Sequence, residues 1–196
     1  MGCFAKGCLI LLAFAFLLTV AFIGGTYYAW HRIFPTKGMD LPRTTITEEQ
    51  TQSAEQRWNA FKDAADLRRP ARIELTADDI NALIGAGDPE WRGRFHVSIS
   101  ENVGRVRISF PMDQSGWLKG HYINAEGRVQ PAPDKSPSDA QVTSIVLNGQ
   151  SVPNDFVQWE FFGWSLRDQI AEWCEEYNLK TFDIQNGRVI LETRGE

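Results

Sequence analysis

The sequence predicts an α+β protein, in which an N-terminal transmembrane helix precedes one domain with a curved antiparallel sheet packed against two or three helices. The transmembrane helix is predicted by an uncharged apolar run at residues 7–30. In the rest of the chain, apolar residues recur at helical spacing, and alternating strand patterns joined by short turns lie between them. Strands joined by short turns pair antiparallel, and their mixture with helices defines the α+β class.

The apolar run is long enough to cross a lipid bilayer. At about 1.5 Å per residue, a helix over residues 7–30 is about 36 Å long, against a hydrocarbon layer of about 30 Å. The run ends in Tyr27, Tyr28 and Trp30, residue types favoured where a helix enters the headgroup region. The alternative is a cleaved signal peptide, whose apolar region is typically about 7–15 residues long. The length and the aromatic end favour an uncleaved anchor at residues 1–30.

A tether and one soluble domain are predicted after the anchor. Residues 31–46 form the tether, in which Pro35 and Pro42 discourage regular structure. Residues 47–196 form a single domain, long enough to bury a core of its own.

The charge of this part of the chain is mildly acidic. Residues 31–196 hold 19 Lys and Arg against 25 Asp and Glu, a net charge of −6. A domain of this kind has no overall electrostatic attraction for nucleic acid or for anionic lipid headgroups, so no nucleic-acid partner is expected.

The first helix of the domain is predicted at residues 48–67. Thr47 and Gln50 have the spacing of a capping box, which marks a helix start. Apolar residues follow at helical spacing: Ala54, Trp58, Phe61 and Ala65.

A short strand at residues 72–75 leads into the second helix. Thr76 is expected to cap that helix, which ends near Gly85 and places Asp78 and Asp79 in its first turn. Its shared apolar face consists of Ile80, Leu83 and Ile84. The third helix begins at Ser165, and its apolar stripe consists of Leu166, Ile170, Trp173, Cys174 and Tyr177.

The remaining patterns are strands. Residues 94–110 form a strand pair connected at Asn102 and Val103, in a register that places Phe95, Val97 and Ile99 opposite Phe110, Ile108 and Val106. Because Val103 disfavours a positive φ, a register shift or a bulge at Gly104 is the alternative. Two more strands at residues 120–129 and 141–148 flank a loop at residues 131–139.

The strongest turn signal in the chain is Asn186-Gly187. It predicts a closing hairpin in which the residues of one face meet in two pairs, Ile184 with Val189 and Phe182 with Leu191.

The sequence contains no recognisable catalytic or metal-binding motif. His31, His96 and His121 are far apart, and no paired His or Cys spacing typical of a zinc site occurs. Cys174 lies on an apolar stripe, where a thiol is expected to be buried and inert. No enzyme activity, metal or cofactor is therefore predicted. An enzyme of unrecognised type would need His96 or His121 within hydrogen-bonding distance of a carboxylate in a cleft.

One aromatic segment, residues 156–164, stands out as a candidate surface for an apolar ligand or a partner. Its large rings exceed what one buried stripe requires, although core packing is the simpler interpretation. The candidate residues are Phe156, Trp159, Phe161, Phe162 and Trp164.

Three segments resemble YpmS-like membrane-anchored proteins. Leu75 to Ile84 resembles their opening of Leu-Thr, two polar residues, then acidic-apolar-Asn-x-Leu. Ile145 to Asp155 is similar to their later strand–proline–helix step, and Phe182 to Leu191 resembles their terminal hairpin, which also recurs in AsmA- and LmeA-like envelope proteins. The resemblance implies a single-pass envelope protein with a lipid-binding α+β domain. The segment at residues 156–164 departs from that pattern.

The two indications of orientation disagree. Lys6 precedes the apolar run, whereas Arg32, Lys37 and Arg43 follow it, and the positive-inside rule then places the domain in the cytoplasm. The resemblance implies the outer side of the cytoplasmic membrane, and we favour that side.

Two functional hypotheses follow. The first is a single-pass, membrane-anchored protein that binds a lipid or other apolar ligand, with helices at residues 77–84 and 165–177 on the concave side of the sheet and the aromatic segment at its entrance. The second is a membrane-tethered module for protein–protein interaction or assembly.

Overall fold

The structure is a computed structural model that describes residues 34–42, 45–87, 89–113, 116–153 and 166–195. Within these residues the chain forms three α-helices: α1 Glu48–Asp66, α2 Ala77–Gly87 and α3 Leu166–Glu176. It also forms eight strands, which are β1 Arg72–Thr76, β2 Phe95–Ser100, β3 Val103–Pro111, β4 Tyr122–Gln130, β5 Gln141–Leu147, β6 Gln150–Val152, β7 Leu179–Gln185 and β8 Arg188–Thr193.

The strands pair antiparallel, which confirms the predicted α+β class, but they divide into two hydrogen-bonded sheets. The small sheet has the order β1-β8-β7, and the large sheet has the order β2-β3-β4-β5-β6. The large sheet is a meander of consecutive strands. The small sheet joins β1 to the closing hairpin, a pairing between distant parts of the chain that no local pattern could predict.

Helix α1 begins as the sequence predicted. The Thr47 side chain accepts a hydrogen bond from the Gln50 amide, and the Gln50 side chain accepts one from the Thr47 amide. This capping box pairs two amide groups that the helix itself leaves without partners. The predicted apolar stripe faces inward, with Ala54, Phe61 and Ala65 buried.

The main core lies between the small sheet and the helices. Its buried residues are Phe61, Ile73, Leu75, Leu179 and Leu191. Side chains from all three helices pack against it, including Trp58 of α1, Leu83 of α2 and Cys174 of α3. The helices predicted at residues 77–84 and 165–177 therefore pack on the small sheet. The side of the sheet that faces them is apolar, since Ile73 pairs with Leu191 there and Leu75 pairs with Val189.

Helix α2 connects the two sheets. At its start the Thr76 hydroxyl accepts from the Asp79 amide (3.1 Å), and the Asp79 carboxylate accepts from the Thr76 amide (2.8 Å) and hydroxyl (2.9 Å). One turn later, the Asn81 side chain donates to the Val97 carbonyl and accepts from the Val97 amide, both at 2.8 Å. Because β2 is an edge strand, Asn81 takes the place of a neighbouring strand at that residue.

The register predicted for the β2–β3 hairpin was wrong by two residues. Phe95 pairs with Ile108, and Ser100 pairs with Val103. The turn lies at Glu101 and Asn102, and Glu101 has a positive φ of 55°. Val103 is β-branched and disfavours such a φ, so it belongs to the strand instead of the connection. A shift of two residues leaves the same side chains on each face.

The closing hairpin has the predicted register. Ile184 pairs with Val189 and Phe182 with Leu191. Asn186 and Gly187 have φ values of 50° and 74°, the left-handed pair that a two-residue hairpin turn needs.

The predicted strands at 120–129 and 141–148 are confirmed as β4 and β5. The loop between them is held in place, since Ala132 and Pro137 are buried. Lys135 contributes an ion pair of 2.7 Å between its Nζ and Oδ2 of the buried Asp183 in β7.

The described part of the tether has no regular secondary structure, but it is bonded to the large sheet. The Met39 amide donates to Ser109 Oγ (3.0 Å) and to Asn124 Oδ1 (2.9 Å). Asn124 Nδ2 donates to the Lys37 carbonyl (3.0 Å), and Ser109 Oγ donates to Asn124 Oδ1 (2.8 Å). We call residues 34–39, which make these contacts, the docked segment. Ser109 and Asn124 are buried, and their side chains form hydrogen bonds with each other and with the docked segment.

Two further contacts hold the start of the docked segment. The Tyr122 amide donates to the Pro35 carbonyl (2.8 Å), and His121 Nδ1 lies 2.8 Å from the Phe34 carbonyl oxygen. His121 directly precedes β4 and does not lie on a strand as predicted. Gly38 permits the close approach, since a Cβ there would lie 3.0 Å from Ser109 Oγ.

The predicted anchor at residues 7–30 lies outside the described residues. In the ranges that the structure describes, no helix combines the length and the apolar character needed to span a bilayer.

Candidate functional site

A cleft of about 870 Å³ opens at the edge of the large sheet, along β2. Its walls come from the docked segment and the residues after it, from α2, and from the turn at Pro89–Trp91 before β2. Apolar side chains on these walls are Met39, Leu41, Ile46, Ile84, Trp91 and Phe95. Polar and ionisable groups on the same walls include Asp40, Glu48, Arg92 and His96. Such a mixture fits an amphipathic ligand better than a purely apolar or purely charged one.

Three aromatic rings form one wall of the cleft and continue onto the sheet. Trp91 stacks on Phe95 with ring centroids 4.8 Å apart and an angle of 8° between the planes. Phe110 of β3 meets both rings edge-on, at 5.6 Å from Phe95 and 6.2 Å from Trp91. Trp91 is 44% exposed, so this wall presents a large ring to a ligand.

Phe95 and Phe110 belong to a face of the large sheet that we call the apolar face. Register and alternation place on it Phe95, Val97, Ile99, Gly104, Val106, Ile108, Phe110, Ile123, Ala125, Gly127, Val129, Val142, Ile145, Leu147 and Val152. Of these residues Val97 and Gly104 are buried, Leu147 is exposed and the others are half-buried. A face so apolar and so incompletely covered is typical of a binding surface.

One end of the apolar face meets the core of the small sheet. A Cβ at Gly104 would lie 3.4 Å from Ile184 Cδ1, so the two sheets are close together there. The aromatic end of the face, at Phe95 and Phe110, leads instead into the cleft. The face and the cleft therefore form one continuous surface.

The opposite lining of the cleft is polar. Arg92 donates from Nε (3.1 Å) and Nη2 (2.9 Å) to the Gly85 carbonyl near the end of α2, which fixes the guanidinium. His96 is half-buried beside it. Burial lowers the pKa of His96 and the Arg107 charge lowers it further, while Asp78 opposes both. The lowered pKa favours the neutral imidazole, which carries one hydrogen-bond donor and one acceptor.

The structure also places the residues that the sequence analysis weighed as possible chemical groups. No hydrogen bond joins His96 to a carboxylate among the described residues, and these residues contain no group of three potential metal ligands. Cys174 is half-buried against the main core, and burial raises the pKa of its thiol, with Arg194 acting in the opposite direction. The Asp79 carboxylate has a structural role, because it accepts hydrogen bonds from Thr76 at the start of α2 and forms an ion pair with Arg57 of α1.

The predicted aromatic surface lies outside the described residues. Phe156, Trp159, Phe161, Phe162 and Trp164 all fall between positions 154 and 165. Sequence reasoning missed the cleft itself, because one wall comes from the predicted tether and another from residues 89–91, to which no element was assigned. The aromatic residues Trp91 and Phe95, on either side of Gly93, were the one local signal for it.

Comparison of the chain with known protein families, with curated proteins and with solved structures finds no match.

Proposed function

We propose that this chain is a membrane-anchored domain that binds a lipid or a similar amphipathic ligand on the apolar face and in the adjoining cleft. The observation that carries the proposal is the incomplete burial of the apolar face. In a domain of this size, a face with fifteen apolar or glycine positions across five paired strands would normally be covered.

The chemistry of the surface supports an amphipathic ligand. Removal of apolar surface from water is favourable by about 25 cal/mol for each Å². Most side chains of the apolar face are half-buried, so an acyl chain that lies on them would remove further apolar surface from water. The cleft at its end adds Arg92 and His96, which can bond a polar group. An acyl chain along the sheet with a polar end in the cleft satisfies both regions.

The predicted anchor supports the same ligand class. The segment that follows the apolar run docks on the large sheet from Phe34 onward, only four residues after Trp30. At about 3.5 Å per residue those residues span about 14 Å, so the domain would lie against the membrane surface. This placement fits the resemblance to single-pass envelope proteins, and we favour the outer side of the cytoplasmic membrane.

The full chain in lipid nanodiscs provides the test. A photoreactive fatty acid is added, irradiated and located by mass spectrometry of the peptides. We expect labelled peptides from β3, β4 and β5 in addition to labelled peptides from the anchor. Label confined to residues 1–33, with none on the sheet, would refute the proposal.

A matched pair of variants sharpens the test. Leu147→Gln alters a 36%-exposed leucine on the apolar face, and Leu67→Gln alters a 61%-exposed leucine at the end of α1. Loss of about 1 kcal/mol of apolar contact lowers sheet labelling about fivefold for Leu147→Gln. Leu67→Gln leaves it unchanged, and equal effects would argue against a specific surface.

A membrane-tethered interaction module is the second candidate. Trp173 is 39% exposed on α3, away from the cleft, and large exposed aromatics are enriched at protein interfaces. This hypothesis predicts that crosslinking of the full chain in its membrane captures one protein neighbour and that Trp173→Ser abolishes the capture. Capture that persists in Trp173→Ser would reject this surface.

A further inference from the structure

The second face of the large sheet carries a concentration of positive charge. Arg105 and Arg107 of β3 and Arg128 of β4 share that face by register, since Arg105 pairs with Arg128 and Arg107 pairs with Glu126. We call these three arginines the arginine face. On the described strands these three cations share the face with one carboxylate, that of Glu126, so the strand residues of this face are net positive although residues 31–196 as a whole are acidic. Asp78 of α2 also acts electrostatically on His96 of the same face.

The Glu126 carboxylate forms ion pairs with both Arg105 and Arg128. Glu126 Oε1 lies 3.4 Å from Arg105 Nε and 3.6 Å from Arg128 Nε. The Arg105 and Arg128 side chains remain 42% and 45% exposed, so both guanidinium groups have room for a further anion.

Arg107 has no such partner. Its Nε is buried and has no hydrogen-bond acceptor among the described residues. An arginine Nε–H without an acceptor is costly in a folded protein. Because this atom is shielded from solvent, an anion that approaches the face meets the exposed guanidinium groups of Arg105 and Arg128, and the positive charge of Arg107 attracts it from behind them. On the neighbouring strand His96 pairs with Arg107, and their side chains share the face.

The docked segment after the predicted anchor lies on this same face. Ser109, which accepts from Met39, lies two residues from Arg107 on β3, and Asn124 lies two residues from Glu126 on β4. Residues two apart on a strand are about 7 Å apart and point the same way. An anchor at residues 7–30, as predicted from the sequence, would therefore hold the arginine face beside the bilayer surface.

We propose that the arginine face binds the phosphate of anionic lipid headgroups at the surface of the membrane that holds the anchor. Guanidinium groups suit this ligand because their planar N–H groups match phosphate oxygens in pairs. The inference is independent of the ligand proposed for the cleft, but it depends on the predicted anchor. It also corrects the expectation from net charge, because segregation of the charges creates a cationic surface on an acidic domain.

The test uses the full chain in neutral detergent micelles, with NMR of the arginine Nε–H groups. Dihexanoyl phosphatidylglycerol, dihexanoyl phosphatidylcholine and inorganic phosphate are titrated separately at low salt. We expect the Arg105 and Arg128 Nε–H resonances to shift with the anionic lipid, at an affinity at least about tenfold above that for the zwitterionic lipid. A resonance that ignores the anionic lipid, or responds equally to free phosphate, overturns the assignment to a lipid headgroup.

Variants at exposed positions complete the test without endangering the fold. Arg105→Gln and Arg128→Gln should each weaken binding of the anionic lipid about fivefold. The matched control Arg69→Gln removes an exposed arginine at the end of α1, and its affinity should stay within about twofold of the unmodified chain. Equal losses in the control and in the two variants would contradict a localised site.

Discussion

Among single residues, Asp79 connects more of the structure than any sequence pattern indicated. Its carboxylate accepts from the Thr76 amide and hydroxyl, and it pairs with Arg57 of α1. Arg57 also donates to the Glu74 carbonyl of β1 (3.1 Å). A residue that the helix dipole alone could explain therefore joins the first two helices and the first strand.

The charge of Asp79 is expected to stabilise the fold in a pH-dependent way. Burial on its own would raise the pKa of Asp79, but the Thr76 amide and Arg57 lower it below the ordinary value of 3.8. Because the folded pKa is the lower one, the contribution is complete above about pH 4 and is lost as the pH falls through the folded pKa. Asp79→Asn should lower the free energy of unfolding at pH 7 by about 1.5–3 kcal/mol.

Urea unfolding of the full chain in detergent, at pH 7 and at decreasing pH, measures this effect. The difference between Asp79→Asn and the unmodified chain should shrink as the solution becomes acidic. Asp78→Asn is the control, since Asp78 is exposed in the same helical turn and should cost only about 0.3–1 kcal/mol. A difference for Asp79→Asn that stays constant with pH would show that its charge contributes nothing.

Asn81 is expected to protect the edge of the large sheet. Asn81→Ala removes both hydrogen bonds to Val97 and leaves the amide and the carbonyl of an edge strand open. We expect a loss of about 1–3 kcal/mol in the free energy of unfolding and increased self-association through β2. Asn59→Ala, at an exposed position of α1, is the control. Light scattering follows the association, and unchanged scattering in Asn81→Ala would contradict an edge-protecting role.

On the scale of elements, the sequence did not indicate that the docked segment is hydrogen-bonded to the large sheet. Ser109 and Asn124 look like ordinary polar residues of strands, yet each lies beside the docked segment in the folded chain. They lie 70 and 85 residues from Met39, so no local pattern could predict the contact. Part of what the sequence predicted as a free tether, residues 34–39, is therefore bonded to the large sheet.

Release of this segment should be measurable by proteolysis. Asn124→Ala removes the acceptor for the Met39 amide and the donor to the Lys37 carbonyl. A loss of about 1.4 kcal/mol of local stability corresponds to an approximately tenfold faster tryptic cleavage after Lys37. Ser144→Ala, on the neighbouring strand β5, should leave the rate unchanged. Equal rates in the Asn124→Ala and unmodified chains would mean that other contacts hold the segment.

The hairpins show which features of the elements a sequence can specify. The β7–β8 register was predicted correctly because Asn186-Gly187 fixes the turn and the apolar pattern agrees with it. In the β2–β3 connection, Glu101 adopts the positive φ, and nothing in its residue type announces that conformation. The helices were predicted well, since capping and periodicity are local, whereas the sorting of strands into two sheets depends on pairing across the whole chain.

On the scale of the whole molecule, the sequence placed the candidate site in the segment at 156–164, and the described structure offers a different one. The cleft and the apolar face combine residues from the docked segment, α2 and five strands. Composition likewise gave a net charge of −6 but not its distribution, which leaves the arginine face positive. Both properties arise only when the strands pair, because pairing decides which side chains share a surface.

The orientation of the domain relative to the membrane decides which lipids can reach these surfaces. The flanking cations predict the cytoplasmic side and the resemblance implies the outer side, which we favour. Gln56 is exposed on α1, so Gln56→Cys, in a chain whose three native cysteines are changed to Ser, provides one accessible thiol. A membrane-impermeant maleimide applied to intact spheroplasts should label this thiol as fully as it does after permeabilisation. The same chain without Gln56→Cys is the blank. Label that appears only after permeabilisation would place the domain in the cytoplasm, where the arginine face would meet the anionic lipids of the inner leaflet instead.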